Sequence, residues 1–183
     1  MSADRPSLNS YPAGVPAEID ADEFASIPDV LRQSIEKYRD KPAFSNLGKT
    51  LSYGEIDKLS AQFAAYLLGE LKLKKGDRVA IMMPNCLQYP ICTFGILRAG
   101  LTVVNVNPMY TPRELKHQLS DSGTVAIVVV DNFGKTVQDA LAGTSVRQVI
   151  TTALGDMLGF PKGPIVNFVL KHVKKMVPAY DIP

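Results

Sequence analysis

The sequence predicts a layered α/β domain built on a largely parallel sheet. Short apolar runs bounded by turn residues alternate with stretches of helical periodicity. The run Val125–Val130 is apolar throughout and Arg78–Met83 nearly so, as strands buried on both faces of a parallel sheet must be. Helix-start signals open the intervening stretches, so the rhythm reads strand, helix, strand.

In chain order, Ile27, Leu31, Ile35 and Tyr38 repeat at helical spacing until Lys41-Pro42 ends the element. Ala43–Leu47 and Thr50–Ser52 read as short strands around a turn at Leu47-Gly48-Lys49. Ser52-Tyr53-Gly54-Glu55 is a capping box, and Ile56, Leu59, Phe63 and Leu67 form the buried stripe of the helix behind it. Lys74-Lys75-Gly76-Asp77 turns the chain into the strand Arg78–Met83. After Pro84-Asn85 a helix is expected to about Arg98, closed by Gly100 and followed by the strand Leu101–Val106. Thr111-Pro112-Arg113-Glu114 combines a capping threonine, a first-turn proline and a returning glutamate; its helix buries Leu115 and Leu119 and stops at Gly123. The strand Val125–Val130, a helix over Phe133–Leu141 and a strand over Arg147–Thr151 complete the pattern.

The last stretch, Ile165–Val177, is expected to form one amphipathic helix. Asn167, Lys171, Lys174 and Lys175 fall on one face at i, i+4, i+7, i+8, and Ile165, Val166, Val169, Leu170, Val173, Met176 and Val177 cover the rest. The apolar run is much too short to span a bilayer. Val169, Lys171, Val173, Lys174, Lys175 and Met176 are candidates to rest on an anionic membrane surface, the alternative being that this helix only caps a core. Residues 1–26 read as an acidic, proline-rich arm, 27–160 as the α/β unit and 161–183 as the basic helix with the start of a linker.

Composition bounds the function. The chain has 183 residues, 46% hydrophobic and 21% charged, with a net charge of +2, too small for a nucleic-acid binder. That sum hides an asymmetry: residues 1–30 hold one arginine against six acids, whereas 161–183 hold four lysines against one aspartate. Cys86 and Cys92 fit no zinc spacing and read as reduced cytosolic thiols. His117 and His172 stand alone, so no metal site is expected, and the N-terminus lacks the pattern of a signal peptide.

No catalytic or cofactor-binding residue emerges from isolated motifs. Gly48-Lys49-Thr50 and Gly134-Lys135-Thr136 each resemble the end of a phosphate-binding loop, but the glycine needed five residues earlier is Ala43 or Val129. No G-x-G-x-x-G follows a strand, and no G-x-S-x-G elbow occurs. The cluster Asn105, Asn107, Pro108 and Tyr110 lies past the carboxyl end of a strand, where open α/β sheets place ligands. Asn105, Asn107 and Tyr110 are therefore candidates for a ligand-side turn, against the plainer reading that asparagine and proline only shape the bend.

Across essentially its whole length the sequence resembles the adenylate-forming acyl-CoA synthetase superfamily, and within it the bacterial long-chain fatty acid–CoA ligases. The resemblance is carried by YPAGVPAEID, TLSYGEIDKLSAQFAAYLL, GDRVAIMMPNCLQYPICTFGILRAG and VVNVNPMYTPRELKHQLSDSG, in that order. LSYGEI and LRAGLTVVNVNP match early superfamily motifs, and the closing LGDMLGFPKGPIVNFVLKHVKKMVP is similar to the fatty-acid branch. The resemblance implies the N-terminal portion of the large domain and a two-step reaction. A fatty carboxylate attacks the α-phosphate of ATP with magnesium, then coenzyme A displaces AMP. The Ser/Thr/Gly-rich ATP loop, the adenine and ribose motifs and the catalytic lysine of that family do not occur before Pro183. Residues 1–183 are therefore expected to be a fragment, inactive alone and prone to self-association, from a cytoplasmic, peripherally membrane-associated enzyme acting on long-chain fatty acids. Two rivals stay open: a self-contained, non-enzymatic lipid- or membrane-binding module, and a ligase of the same superfamily for short-chain or aromatic acids.

Overall fold

A computed structural model describes residues 5–182. Helix α1 spans Ile27–Tyr38; Ser26 caps it by accepting from the Asp29 amide, and Leu31 and Ile35 are buried beneath it. Strands β1 (Pro42–Asn46) and β2 (Lys49–Ser52) form an antiparallel hairpin. Leu47 and Gly48 turn it with φ of 48° and 75°, the paired left-handed conformation that a two-residue hairpin loop demands. The Ser52 amide then donates to the Glu55 carboxylate and the Glu55 amide to Ser52 Oγ, a capping box opening α2, Tyr53–Gly69.

From there the chain winds β3 (Arg78–Met82), α3 (Gln88–Arg98), β4 (Thr102–Asn105), α4 (Pro112–Asp121), β5 (Ala126–Val130), α5 (Gly134–Ala140) and β6 (Gln148–Thr152). The four strands β3 to β6 form one wholly parallel sheet in the order β4-β3-β5-β6. Side-chain alternation divides its core. Val79, Ile81, Ala126, Val128 and Val130 pack on one face with Leu67 of α2 and Ile96 of α3. Ala80, Met82, Ile127 and Val129 pack on the other with Leu115 and Leu119 of α4 and Val137 of α5. A third apolar cluster joins Leu31, Ile35, Leu51, Ile56, Leu87, Ile91 and Leu158, fastening α1 and the hairpin outside α2 and α3. The expected layering is present.

Two elements differ from the sequence reading. The helix expected directly after Pro84-Asn85 begins only at Gln88, because the chain first makes a turn in which the Cys86 amide donates to the Pro84 carbonyl at 2.8 Å. The terminal helix differs more. In place of one regular helix over 165–177, α6 covers Lys162–Phe168 and passes into a single π-helical turn, Val169–Val173. The Lys174 amide closes that turn by donating to the Val169 carbonyl at 2.8 Å, and Lys175 leaves in the left-handed region at φ 51°. Lys174 and Lys175 thus lie beyond the helix, and the wider turn breaks the 3.6-residue period that aligned them with Asn167 and Lys171.

Candidate functional site

Strand order fixes where a site can form. The chain runs from β3 outward to β4, then crosses back to place β5 on β3's other side, so the winding reverses between β3 and β5. Doubly wound sheets bind ligands outside the carboxyl ends of their strands at such a reversal. The loops there are Met83–Leu87 after β3, Val106–Thr111 after β4, Asp131–Phe133 after β5 and Ala153–Leu158 after β6.

On the β3–β4 side lies a cleft of about 290 Å³ between the hairpin and the start of α3. Phe44, Tyr89 and Pro90 supply apolar walls, and Asn46 donates to the Asn85 carbonyl at 3.1 Å. The Tyr89 hydroxyl donates to Asn105 Oδ1 at 2.9 Å, while the Asn105 carbonyl accepts from Gln118 Nε2 at 2.9 Å. Asn107 Oδ1 accepts from the Met109 amide at 3.0 Å, a local Asx turn, and the half-buried Tyr110 packs against the α4 core. Asn105, Asn107 and Tyr110 are therefore engaged in shaping and anchoring the bend. The buried Cys86 thiol lines the same cleft, and burial pushes its pKa up; burial, with Cys86 nearby, pushes Cys92 up to about 12. Both are poor nucleophiles at neutral pH.

The β5–β6 side is strapped by the end of the chain. Asn132 Nδ2 donates to the Met176 carbonyl at 3.0 Å, the Tyr180 hydroxyl donates to Asp131 Oδ1 at 2.9 Å, and the Asp181 amide donates to Gln138 at 3.1 Å. The Tyr180 ring lies against Gly134, where any Cβ would overlap it. Burial, then the hydrogen bond to Asp131 and that carboxylate's charge, raise the Tyr180 pKa. Below, Asp156 accepts from the Ala153 amide, Thr152 Oγ1 and Asn167 Nδ2, while Asn167 Oδ1 accepts from the Gly155 amide at 2.7 Å. Asn167, read from sequence as part of the polar outer face, is instead the inward anchor of α6. The backbones of Gly155 and Gly163 cross so closely that a Cβ on either would come within 2.5 Å of the other's carbonyl oxygen.

The outward surface of the terminal segment is apolar and cationic together. Ile165, Phe168, Val173 and Met176 are more than half exposed and Phe160 is 92% exposed, while Lys171, Lys174 and Lys175 lie open to solvent. Val166 packs inward on the third cluster, and Leu170 and Val177 line a small cavity beside Asp131. Val169 is half-buried. Phe160 and Phe168 escaped the sequence reading, which tracked a helical stripe of aliphatics. The signal that would have found them is the complete absence of acids between Met157 and Tyr180.

Neither loop that resembles a phosphate cradle fits one. Gly48 is the hairpin turn, with Lys49 already in β2, and Gly134 lies under the Tyr180 ring while Lys135 pairs with Asp139 at 2.6 Å. Among the described residues no group of three or more His, Cys, Asp and Glu side chains comes together as a metal site.

The parallel sheet, its capped helices and the loops at its carboxyl edge define a doubly wound α/β domain. The AMP-binding enzyme family matches residues 31–179, and the chain belongs to it. A long-chain-fatty-acid–CoA ligase of Escherichia coli O6:H1 is 54% identical over 176 residues, covering 96% of this chain and 31% of that relative. The corresponding ligase of Bacillus subtilis is 36% identical over 172 residues, covering 94% of this chain and 30% of its own length. Among solved structures, a long-chain-fatty-acid–CoA ligase from Archaeoglobus fulgidus superposes with a TM-score of 0.63 at 26% identity, over 69% of this chain and 27% of that one. A benzoate–CoA ligase from Burkholderia xenovorans, at 23% identity and a TM-score of 0.64, shares the fold. The chain spans about a third of the length of the curated relatives it matches.

Proposed function

We propose that this chain forms the N-terminal part of the large domain of an AMP-forming long-chain fatty acid–CoA ligase. The observation that carries the reading is the 54% identity to a ligase of that substrate class along nearly the whole chain. In such an enzyme ATP, magnesium and coenzyme A supply the activation and the acceptor thiol. The reading assigns these groups to no side chain of this chain. The role left to these residues is architectural. They set the carboxyl edge of the sheet, with the β3–β5 reversal at its centre, and hold the loops that border it.

Long-chain acids partition into membranes, and peripheral attachment belongs to the same reading. No helix among the described residues is long and apolar enough to cross a bilayer. The exposed apolar and basic surface at 160–176 favours contact with the interface.

The test is a chimera in which this chain replaces the matched N-terminal segment of the Escherichia coli relative. The chimera is expected to convert palmitate to palmitoyl-CoA with kcat/KM within about tenfold of the parent, roughly 1.4 kcal/mol in transition-state stabilisation. A folded chimera that acts on butyrate or benzoate and not on palmitate would assign the chain to another substrate class.

A further inference from the structure

We infer that Gln88 is a positioning residue for the reaction proposed above. Its buried amide ties the start of α3 to the loop after β6 and so fixes where Ala153 stands at the carboxyl edge of the sheet. The inference rests on the ligase reading and names one architectural residue on which the chemistry depends.

Ser60, Gln88 and Thr124 are the buried polar residues among those described. The Ser60 hydroxyl donates to the Asp57 carbonyl at 3.2 Å and accepts from Arg98, and the Thr124 hydroxyl meets that of Ser122 at 2.7 Å. Gln88 is only half satisfied. Its Nε2 donates to the Ala153 carbonyl at 2.8 Å and lies 3.4 Å from Thr152 Oγ1, while Oε1 is buried with no donor. Turning the amide over would set Oε1 against the Ala153 oxygen, so its orientation is fixed. A buried carbonyl without a donor costs stability and calls for an explanation. Stability alone would favour methionine or leucine of similar volume at this position. The amide is therefore explained by what its Nε2 holds.

That bond joins two elements across the winding reversal. Gln88 opens α3, which follows β3, and Ala153 follows β6; in the sheet β5 lies between those two strands. The loop Ala153–Leu158 otherwise bonds to itself, to β6 and to α6. The Ala153 carbonyl also accepts from the Asp156 amide at 3.0 Å, and Asp156 Oδ2 accepts from the Ala153 amide and Thr152 Oγ1. Asn167 holds the Gly155 amide and Asp156 Oδ1. No other side chain of α3 bonds to this loop among the described residues. Leu154 packs on the core shared with α3, and Leu158 on the third cluster, so the loop keeps its seat without Gln88. Apolar contact is not directional, however. The amide alone sets the distance between the start of α3 and the loop, two walls of the edge at which doubly wound sheets bind ligands. Misplacing a site wall by about 1 Å can cost about 100-fold in rate.

The experiment places Gln88→Met and Gln88→Glu in the full chain and in the Escherichia coli chimera, with circular dichroism verifying the fold at each pH. Methionine keeps the volume and gives up the bond, while the Ala153 carbonyl keeps its Asp156 donor. The melting temperature of the full chain is therefore expected to stay within about 2 °C of the wild type or to rise. Amide hydrogen exchange at Gly155 and Asp156 is expected to quicken about tenfold. In the chimera Gln88→Met is expected to lower kcat for palmitoyl-CoA formation about tenfold, with KM for palmitate, ATP and coenzyme A changed less than about twofold. Glutamate restores the bond only while its carboxyl is protonated and able to donate to Ala153. Burial, and the Asp156 carboxylate one hydroxyl away across Thr152, hold that carboxyl above the ordinary glutamate range. The kcat of Gln88→Glu relative to wild type is therefore expected to climb as pH falls, while that of Gln88→Met stays level. A residue that merely fills the core would shift melting and leave both ratios flat. The inference is overturned if Gln88→Met lowers the melting temperature by more than about 4 °C with loop exchange unchanged. It is also overturned if a folded chimera carrying Gln88→Met keeps the wild-type kcat, an outcome that leaves the ligase proposal standing. A folded, unsubstituted chimera that activates no palmitate overturns that proposal and this inference with it.

Discussion

Tyr180 and Asp131 are 49 residues apart, and their hydrogen bond draws the end of the chain over β5. Because burial and the neighbouring carboxylate both disfavour the phenolate, the folded pKa of Tyr180 is above its ordinary value of 10.0. The neutral phenol's contribution to stability is complete below that ordinary value and is lost as pH rises through the folded one. Thermal midpoints measured on the alkaline side should therefore fall, and Tyr180→Phe should flatten that fall while costing about 1 kcal/mol at neutral pH. An unchanged alkaline slope in the variant would show that the clasp does not titrate with folding. The Asn105–Tyr110 bend was legible in sequence, since an asparagine bonding to an amide two residues on is a local event. The clasp was not: a tyrosine and an aspartate so far apart carry no mark of each other until the sheet juxtaposes them.

Both capping boxes at the starts of α2 and α4 were legible because every partner lies within four residues. Ser52→Ala should destabilise the domain by about 1 kcal/mol in urea unfolding, since the Glu55 amide loses its acceptor. The pH response of α4 follows from Glu114, whose carboxylate accepts from the Thr111 amide and hydroxyl and whose pKa is thereby lowered from 4.5. Its contribution is present above that value and is lost as pH falls through the folded one. Glu114→Gln should shallow the acid limb of the stability curve and leave the neutral limb's slope unchanged; an identical acid limb would refute this. The terminal element shows where periodicity stops being informative. Counting at 3.6 residues presumes an unbroken helix, and nothing between Ile165 and Val177 announces the wider turn: no glycine or proline interrupts the run.

At the scale of the molecule, the layering and parallel strands followed from apolar runs alternating with capped helices. Strand order did not, because sequence shows that β4 follows β3 but not that β5 returns to β3's other side. The order leaves β4 and β6 as the outer strands, each unpaired along one side among the described residues. Such edges template pairing with a second chain unless blunted by charge. Sedimentation equilibrium of the isolated chain is expected to show association that grows with concentration. The pair Thr102→Lys and Gln148→Lys, one exposed residue on each outer strand, should shift it toward monomer. Association unaffected by both changes would locate self-contact away from the sheet.

The crossing of Gly155 over Gly163 has a mechanical meaning. Where two elements meet through side chains, a displacing force is first absorbed by rotamers, each free to swing. Here main chain rests on main chain, with Asn167 bonded across the junction, so no soft joint intervenes. A displacement of α6 would therefore be felt directly by the loop at the end of β6.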